Sequence, residues 1–88
     1  MDMDEETRKK LEEIAYILDQ IIDDTSIPRN IRKGAKESKE RLFDESQPLD
    51  LRSAGVISTL DELANDPNIP LHGRTLIYQV ISRLETLT

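Results

Sequence analysis

An all-α fold is what this sequence predicts: an antiparallel up-and-down four-helix bundle built from two repeated helical hairpins. Three observations carry the expectation. Apolar residues recur at steps of three and four in four separate segments. No segment alternates with period two, so no strand is expected. Asp24-Thr25-Ser26-Ile27-Pro28, running on to Arg32, returns as Asp66-Pro67-Asn68-Ile69-Pro70, running on to Arg74. Each phrase stands between two helical patterns and consists of residues that stop one helix and start the next.

The first helix starts at Asp4, a good N-cap, with Glu5 and Glu6 suiting the positive end of the helix dipole. Leu11, Ile14, Ala15, Leu18, Ile21 and Ile22 form its apolar stripe. Pro28 holds Ile27 extended, so the helix ends before it. Pro28 then suits the first turn of a second helix, whose inner stripe is Ile31, Ala35, Ser38 and Leu42. That stripe is thin, and small residues such as Gly34 let a neighbouring helix come close. The second helix is expected to lean on its neighbours and to fade around Ser46-Gln47-Pro48. Asp50 is the expected cap of the third helix, with Val56, Ile57, Leu60, Leu63 and Ala64 facing in. Pro70 opens the fourth, with Ile77, Val80, Ile81, Leu84 and Leu87 inside.

The two phrases lie 42 residues apart. At that shift Leu18 meets Leu60, Asp24 meets Asp66, Ile27-Pro28 meets Ile69-Pro70, and Arg41-Leu42 meets Arg83-Leu84. Caps, stripes and corners are what a duplicated hairpin retains. One domain over residues 1–88 is expected, with hairpin one at 4–46 and hairpin two at 50–87. Ile31-Arg32 followed by Ala35 resembles the second helix of a HEAT repeat. Two helix pairs are fewer than the three or so a solenoid needs, so the hairpins are expected to close on each other instead.

Leu18-Asp19-Gln20-Ile21-Ile22-Asp23-Asp24, Ile27-Pro28 with Ile31-Arg32, and Leu63 through Pro70 carry a longer resemblance. From Asp4 to Leu87 the chain resembles a small archaeal family, uncharacterised protein family 0147. The resemblance implies an up-and-down helical bundle in the archaeal cytoplasm. It implies no activity and no functional residues.

Composition narrows the function further. The chain has no cysteine, hence no disulfide framework, thiolate nucleophile or zinc–thiolate cluster. The start, Met1-Asp2-Met3-Asp4-Glu5-Glu6, is acidic and lacks an apolar core, so no signal or transit peptide is expected. No apolar run reaches membrane length, and a cytoplasmic protein is expected. A net charge of −6 repels nucleic acid and anionic membrane on average.

The residue types that carry chemistry are few. His72 is the single histidine, expected at the surface of the fourth helix's first turn. Asp19, Asp23 and Asp24, echoed by Asp61, Glu62 and Asp66, fit no cation loop. Their expected work is structural: capping the next helix, or pairing with Arg32 and Arg74 on the flank of the core. A non-enzymatic chain without metal or cofactor is expected. Helix two departs from the acidic average. Between Arg29 and Arg41 six cations and two acids give +4, leaving −10 for the remainder. Arg29, Lys33 and Lys36 lie on the face away from the core, where they suit an acidic protein or RNA phosphates. Ile17, Leu71, Leu76 and Tyr78 fall outside the stripes, and Ile17, Leu76 and Tyr78, if together, would form a patch for self-association or a partner. The expected function is a protein-interaction module, with RNA or ribosome association through the basic face as the alternative. A homodimer and a monomer both suit a core of this size.

Overall fold

The computed structural model describes residues 4–87; Met1, Asp2 and Met3, which head the acidic N-terminal stretch, and Thr88 lie outside them. Four helices follow in order: α1 (Glu5–Ile22), α2 (Arg29–Leu42), α3 (Leu49–Ala64) and α4 (Leu71–Glu85). Each packs on its neighbours in a ring, α4 closing back on α1. Among the described residues there is no strand, and the result is an up-and-down four-helix bundle measuring 39 × 20 × 19 Å. None of these helices is long and apolar enough to cross a membrane.

The helix starts follow from local chemistry. Asp4 caps α1, its Oδ1 accepting from the Thr7 N–H at 2.8 Å. Prolines take the N-cap of the other three helices: Pro28, Pro48 and Pro70. The sequence placed Pro28 inside the helix and gave the α3 cap to Asp50. Proline's fixed φ and extended ψ suit the residue just outside the first turn. Asp50 instead lies within that turn, accepting from the Leu51 N–H at 2.9 Å.

α2 ends at Leu42, four residues before the expected fade. The reason is a third copy of the corner phrase. Asp44-Glu45-Ser46-Gln47-Pro48, running on to Arg52, repeats the pattern Asp-x-Ser/Asn-x-Pro with arginine four residues later. All three corners fold alike. The aspartate Oδ1 accepts from the backbone N–H two residues on, at 2.9 Å for Asp24, 3.0 Å for Asp44 and 2.8 Å for Asp66. The proline carbonyl accepts from the arginine N–H at 3.1 Å in each. These are Asx turns that stop one helix and set the cap of the next.

The core runs along the bundle axis. Leu11, Ile14, Leu18 and Ile21 of α1 meet Ile31 and Leu42 of α2, Val56 and Leu60 of α3, and Ile77, Val80 and Leu84 of α4. Each such side chain removed from water stabilises the fold by about 1.5–3 kcal/mol. Gly34 lets α2 and α3 approach closely, since a Cβ there would stand 2.6 Å from Leu63 Cδ1. Ile17 corrects an expectation: it is only 7% exposed and belongs to the core. A ring position gives α1 two flanking helices, so it buries a wider arc than one stripe.

Candidate functional site

Both corners of the 42-residue repeat lie at one end of the bundle, and they are tied reciprocally. His72 Nε2 meets Asp24 Oδ2 at 2.9 Å, and Asn30 Nδ2 donates to Asp66 Oδ2 at 2.9 Å. Asn30 and His72 are equivalent at the 42-residue shift, as are Asp24 and Asp66. Each corner thus binds the first turn of the helix that follows the other corner. The Ser26 hydroxyl is the largest influence holding the Asp24 carboxyl below its ordinary value of 3.8, ahead of the Ser26 N–H and His72. The Asn30 amide does the same for Asp66.

Serine, histidine and aspartate meet here without forming a nucleophilic relay. The Ser26 Oγ donates to Asp24 at 2.6 Å, and the same His72 Nε2 stands 3.2 Å from Ser26 and 2.9 Å from Asp24. A relay needs the acid on one ring nitrogen and the serine on the other. Among the described residues, no three His, Asp or Glu side chains gather as metal ligands.

The corner arginines do not take the expected carboxylates. Arg32 Nε donates to the Ile27 carbonyl at 2.9 Å and Arg74 Nε to the Ala64 carbonyl at 3.0 Å. Arg52, buried at 5% exposure, donates to the carbonyl of Leu42. The ends of helices leave unpaired carbonyls and partial negative charge, and Arg52 and Arg74 reach the last residue of the preceding helix.

A surface groove runs between α1 and α4. Two clefts of about 580 and 700 Å³ lie between the two helices and share Gln20, and a third of about 600 Å³, lined by α4 alone, adjoins them at Thr75, Gln79 and Arg83. Ile17 and Leu76 line the groove itself, while Tyr78 lines the adjoining cleft on the outer face of α4. Ile17 is buried, Leu76 is half-buried, and Tyr78 is 46% exposed. Tyr16, at 68%, and Leu71, at 76%, complete the apolar exposure of this face. Both tyrosines of the chain therefore stand on one side of the bundle.

Arg29, Lys33 and Lys36 are exposed on α2, and among the described residues none has a carboxylate within 4.0 Å. Lys39, by contrast, is taken up by Asp19 of α1 at 2.8 Å. Glu37 and Glu40 are also exposed toward the end of α2, so the basic stretch is its first half.

Relatives of known structure share this architecture. The family model of UPF0147, an uncharacterised protein family, matches residues 1–87. The chain belongs to UPF0147. A UPF0147 protein of Thermoplasma volcanium is 55% identical over 75 residues, covering 85% of this chain and 84% of the relative. One from Methanothermobacter thermautotrophicus is 45% identical over 87 residues, covering 99% and 82%. The crystal structure of a UPF0147 protein from Thermoplasma acidophilum superposes with a TM-score of 0.87 at 49% identity, covering 92% of this chain and 95% of that one. A second crystal structure, of the unknown-function protein MMP1188, gives 0.89 at 41% identity, covering 100% and 98%. UPF0147 membership fits the expectation drawn from the corner residues, and these names assign no activity. Within this UPF0147 chain the third corner and the role of Arg52 escaped the 42-residue comparison, because the middle copy lies at steps of 20 and 22. The phrase Asp-x-Ser-x-Pro was the signal that marks it.

Proposed function

We propose that this protein is a non-enzymatic helical module of the cytoplasm that works by docking another protein along the α1/α4 groove. One observation carries the reading: Tyr16, Leu71 and Tyr78, three of the largest exposed apolar side chains, share that one face. Uncharged Gln20, Thr75 and Gln79 lie between them. Interface cores are rich in tyrosine and poor in lysine and glutamate, with charges kept to the rim. Most of the remaining apolar content is spent on the core, with Phe43 and Leu51 exposed at the α2–α3 corner, and the polar groups of the repeat corners are spent on one another. Photocrosslinking residues placed at positions 16 and 78 in cells should give discrete protein adducts, while positions 36 and 58 on the other helices should give none. Adducts from 36 or 58 alone would place docking elsewhere.

A second reading rests on a different observation, the three cations Arg29, Lys33 and Lys36 of α2, exposed and without a carboxylate partner among the described residues. RNA or ribosome phosphates suit that stripe. No aromatic side chain is interleaved with it, which separates it from base-stacking surfaces. If RNA binds there, log affinity falls linearly with log salt, and each of the three changed to alanine lowers the slope by about 1. Salt-independent binding, or none, removes this reading.

A further inference from the structure

Resting on the docking reading, we infer that the occupant of the α1/α4 groove is a second copy of this chain, related by a two-fold axis running along the groove. The argument is the sign of charge on the two margins. The α1 margin carries Glu12, Glu13 and, at the corner, Asp24, with Lys9 alone opposing them. The α4 margin carries the cation Arg83, the hydrogen-bonding imidazole of His72 and no carboxylate among the groove-lining residues. The margins are level with each other at two points: Arg83 Nη1 stands 3.4 Å from Glu13 Oε1, and His72 Nε2 stands 2.9 Å from Asp24 Oδ2. A two-fold along the groove turns α1 of one copy over α4 of the other without shifting residues along the axis. It therefore sets Glu13 against Arg83 of the second copy, and Asp24 against its His72, twice each. An isologous interface needs this self-complementarity, in which one residue meets another and the second meets the first in return. Tyr16, Gln20, Thr75 and Gln79 then fill the centre, an uncharged core inside a charged rim.

Size agrees. A standard interface buries about 800 Å² per partner, and one long side of the bundle measures 39 × 20 Å. Covering it would remove Tyr16, Leu71 and Tyr78 from water together. Glu13 and Arg83 are exposed by half or more, 59% and 54%, so in turning toward a second chain they exchange the pair they make with each other for the same pair across the interface.

Charge reversal in two halves tests this on the full chain by sedimentation equilibrium. The wild type should be a dimer. Glu13→Arg alone opposes two arginines across each rim contact, and Arg83→Glu alone opposes two glutamates, so each should weaken self-association at least about tenfold. Mixed in equal amounts, the two variants regain complementary rims, and the heterodimer should form with an affinity near that of the wild type. An intramolecular effect of either reversal cannot be rescued by mixing. A monomeric wild type, or a dimer indifferent to both reversals, overturns the second copy as occupant. The docking reading is separable: crosslinks from positions 16 and 78 to a different protein, in a chain that sediments as a monomer, leave that reading standing. Crosslinks to nothing remove both. Circular dichroism on each variant confirms that the bundle is folded, as expected for exposed positions.

Discussion

Arg52 is buried and gives its guanidinium to the carbonyl of Leu42, where α2 ends. Its counterparts Arg32 and Arg74 are half-buried and donate Nε to carbonyls at 2.9 and 3.0 Å. Hydrogen bonds from charged donors contribute about 1.5–3 kcal/mol when buried and less when part of the donor is wet. Urea unfolding should therefore find Arg52→Ala the costliest of the three, at about 2–3 kcal/mol, with Arg32→Ala and Arg74→Ala similar to each other at about 1 kcal/mol. A neutral Arg52→Ala would mean that its unpartnered buried Nε cancels the bond it makes. The three corner aspartates and the α1 cap, Asp4, make stability depend on acid. Asp4, Asp24, Asp44 and Asp66 are all held below 3.8, so folding binds fewer protons than unfolding in that range. Their stabilisation is present above pH 3.8 and is lost as pH falls through the lowered values. The serine hydroxyl is the leading cause at Asp24 and Asp44. Ser26→Ala with Ser46→Ala should flatten the decline of melting temperature between pH 4 and pH 2, and an unchanged profile would contradict it.

Helices carry the next level of the account. The stripes on α1 and α4 were legible because Leu, Ile and Val repeat at helical spacing and nothing competes with them. The end of α2 was not, because its stripe is thin and Lys and Glu continue as good helix formers up to Arg41. What stops it is Asp44, an Asx turn that a period-based reading passes over. Ile17 was misplaced for a related reason: a stripe drawn on one helix omits the arc that a second neighbour covers. The arginine partners were hidden because a carbonyl at a helix end leaves no mark in the sequence. Two glycines separate propensity from packing. The atoms nearest a Cβ on Gly55 of α3 belong to the guanidinium of exposed Arg41, the free end of a long side chain. Gly55→Ala should raise stability by about 0.5–1 kcal/mol through helix propensity. Gly34→Ala gains the same propensity but drives into Leu63, which packs against the core. Overpacking costs about 1–3 kcal/mol, so a net loss is expected by thermal melting.

The whole molecule is a ring of four helices whose like corners are latched to each other's helices, Asp24 to His72 and Asp66 to Asn30. That leaves its long sides unequal. One side, formed by the outer faces of α1 and α4, collects both tyrosines and sets Glu12 and Glu13 across from Arg83; α2 displays exposed cations on another. The groove was partly legible, since Ile17, Leu71, Leu76 and Tyr78 stood outside every stripe, but Tyr16 needed the α1–α4 seam to show that it belongs on the same side. Hydroxyl-radical footprinting of the native chain, comparing a concentrated with a highly diluted sample, reads this side directly. Tyr16 and Tyr78 should be protected on concentration while Phe43 and Leu51, exposed at the α2–α3 corner, react equally in both. Protection of Phe43 and Leu51 with both tyrosines unchanged would contradict the assignment of the docking side.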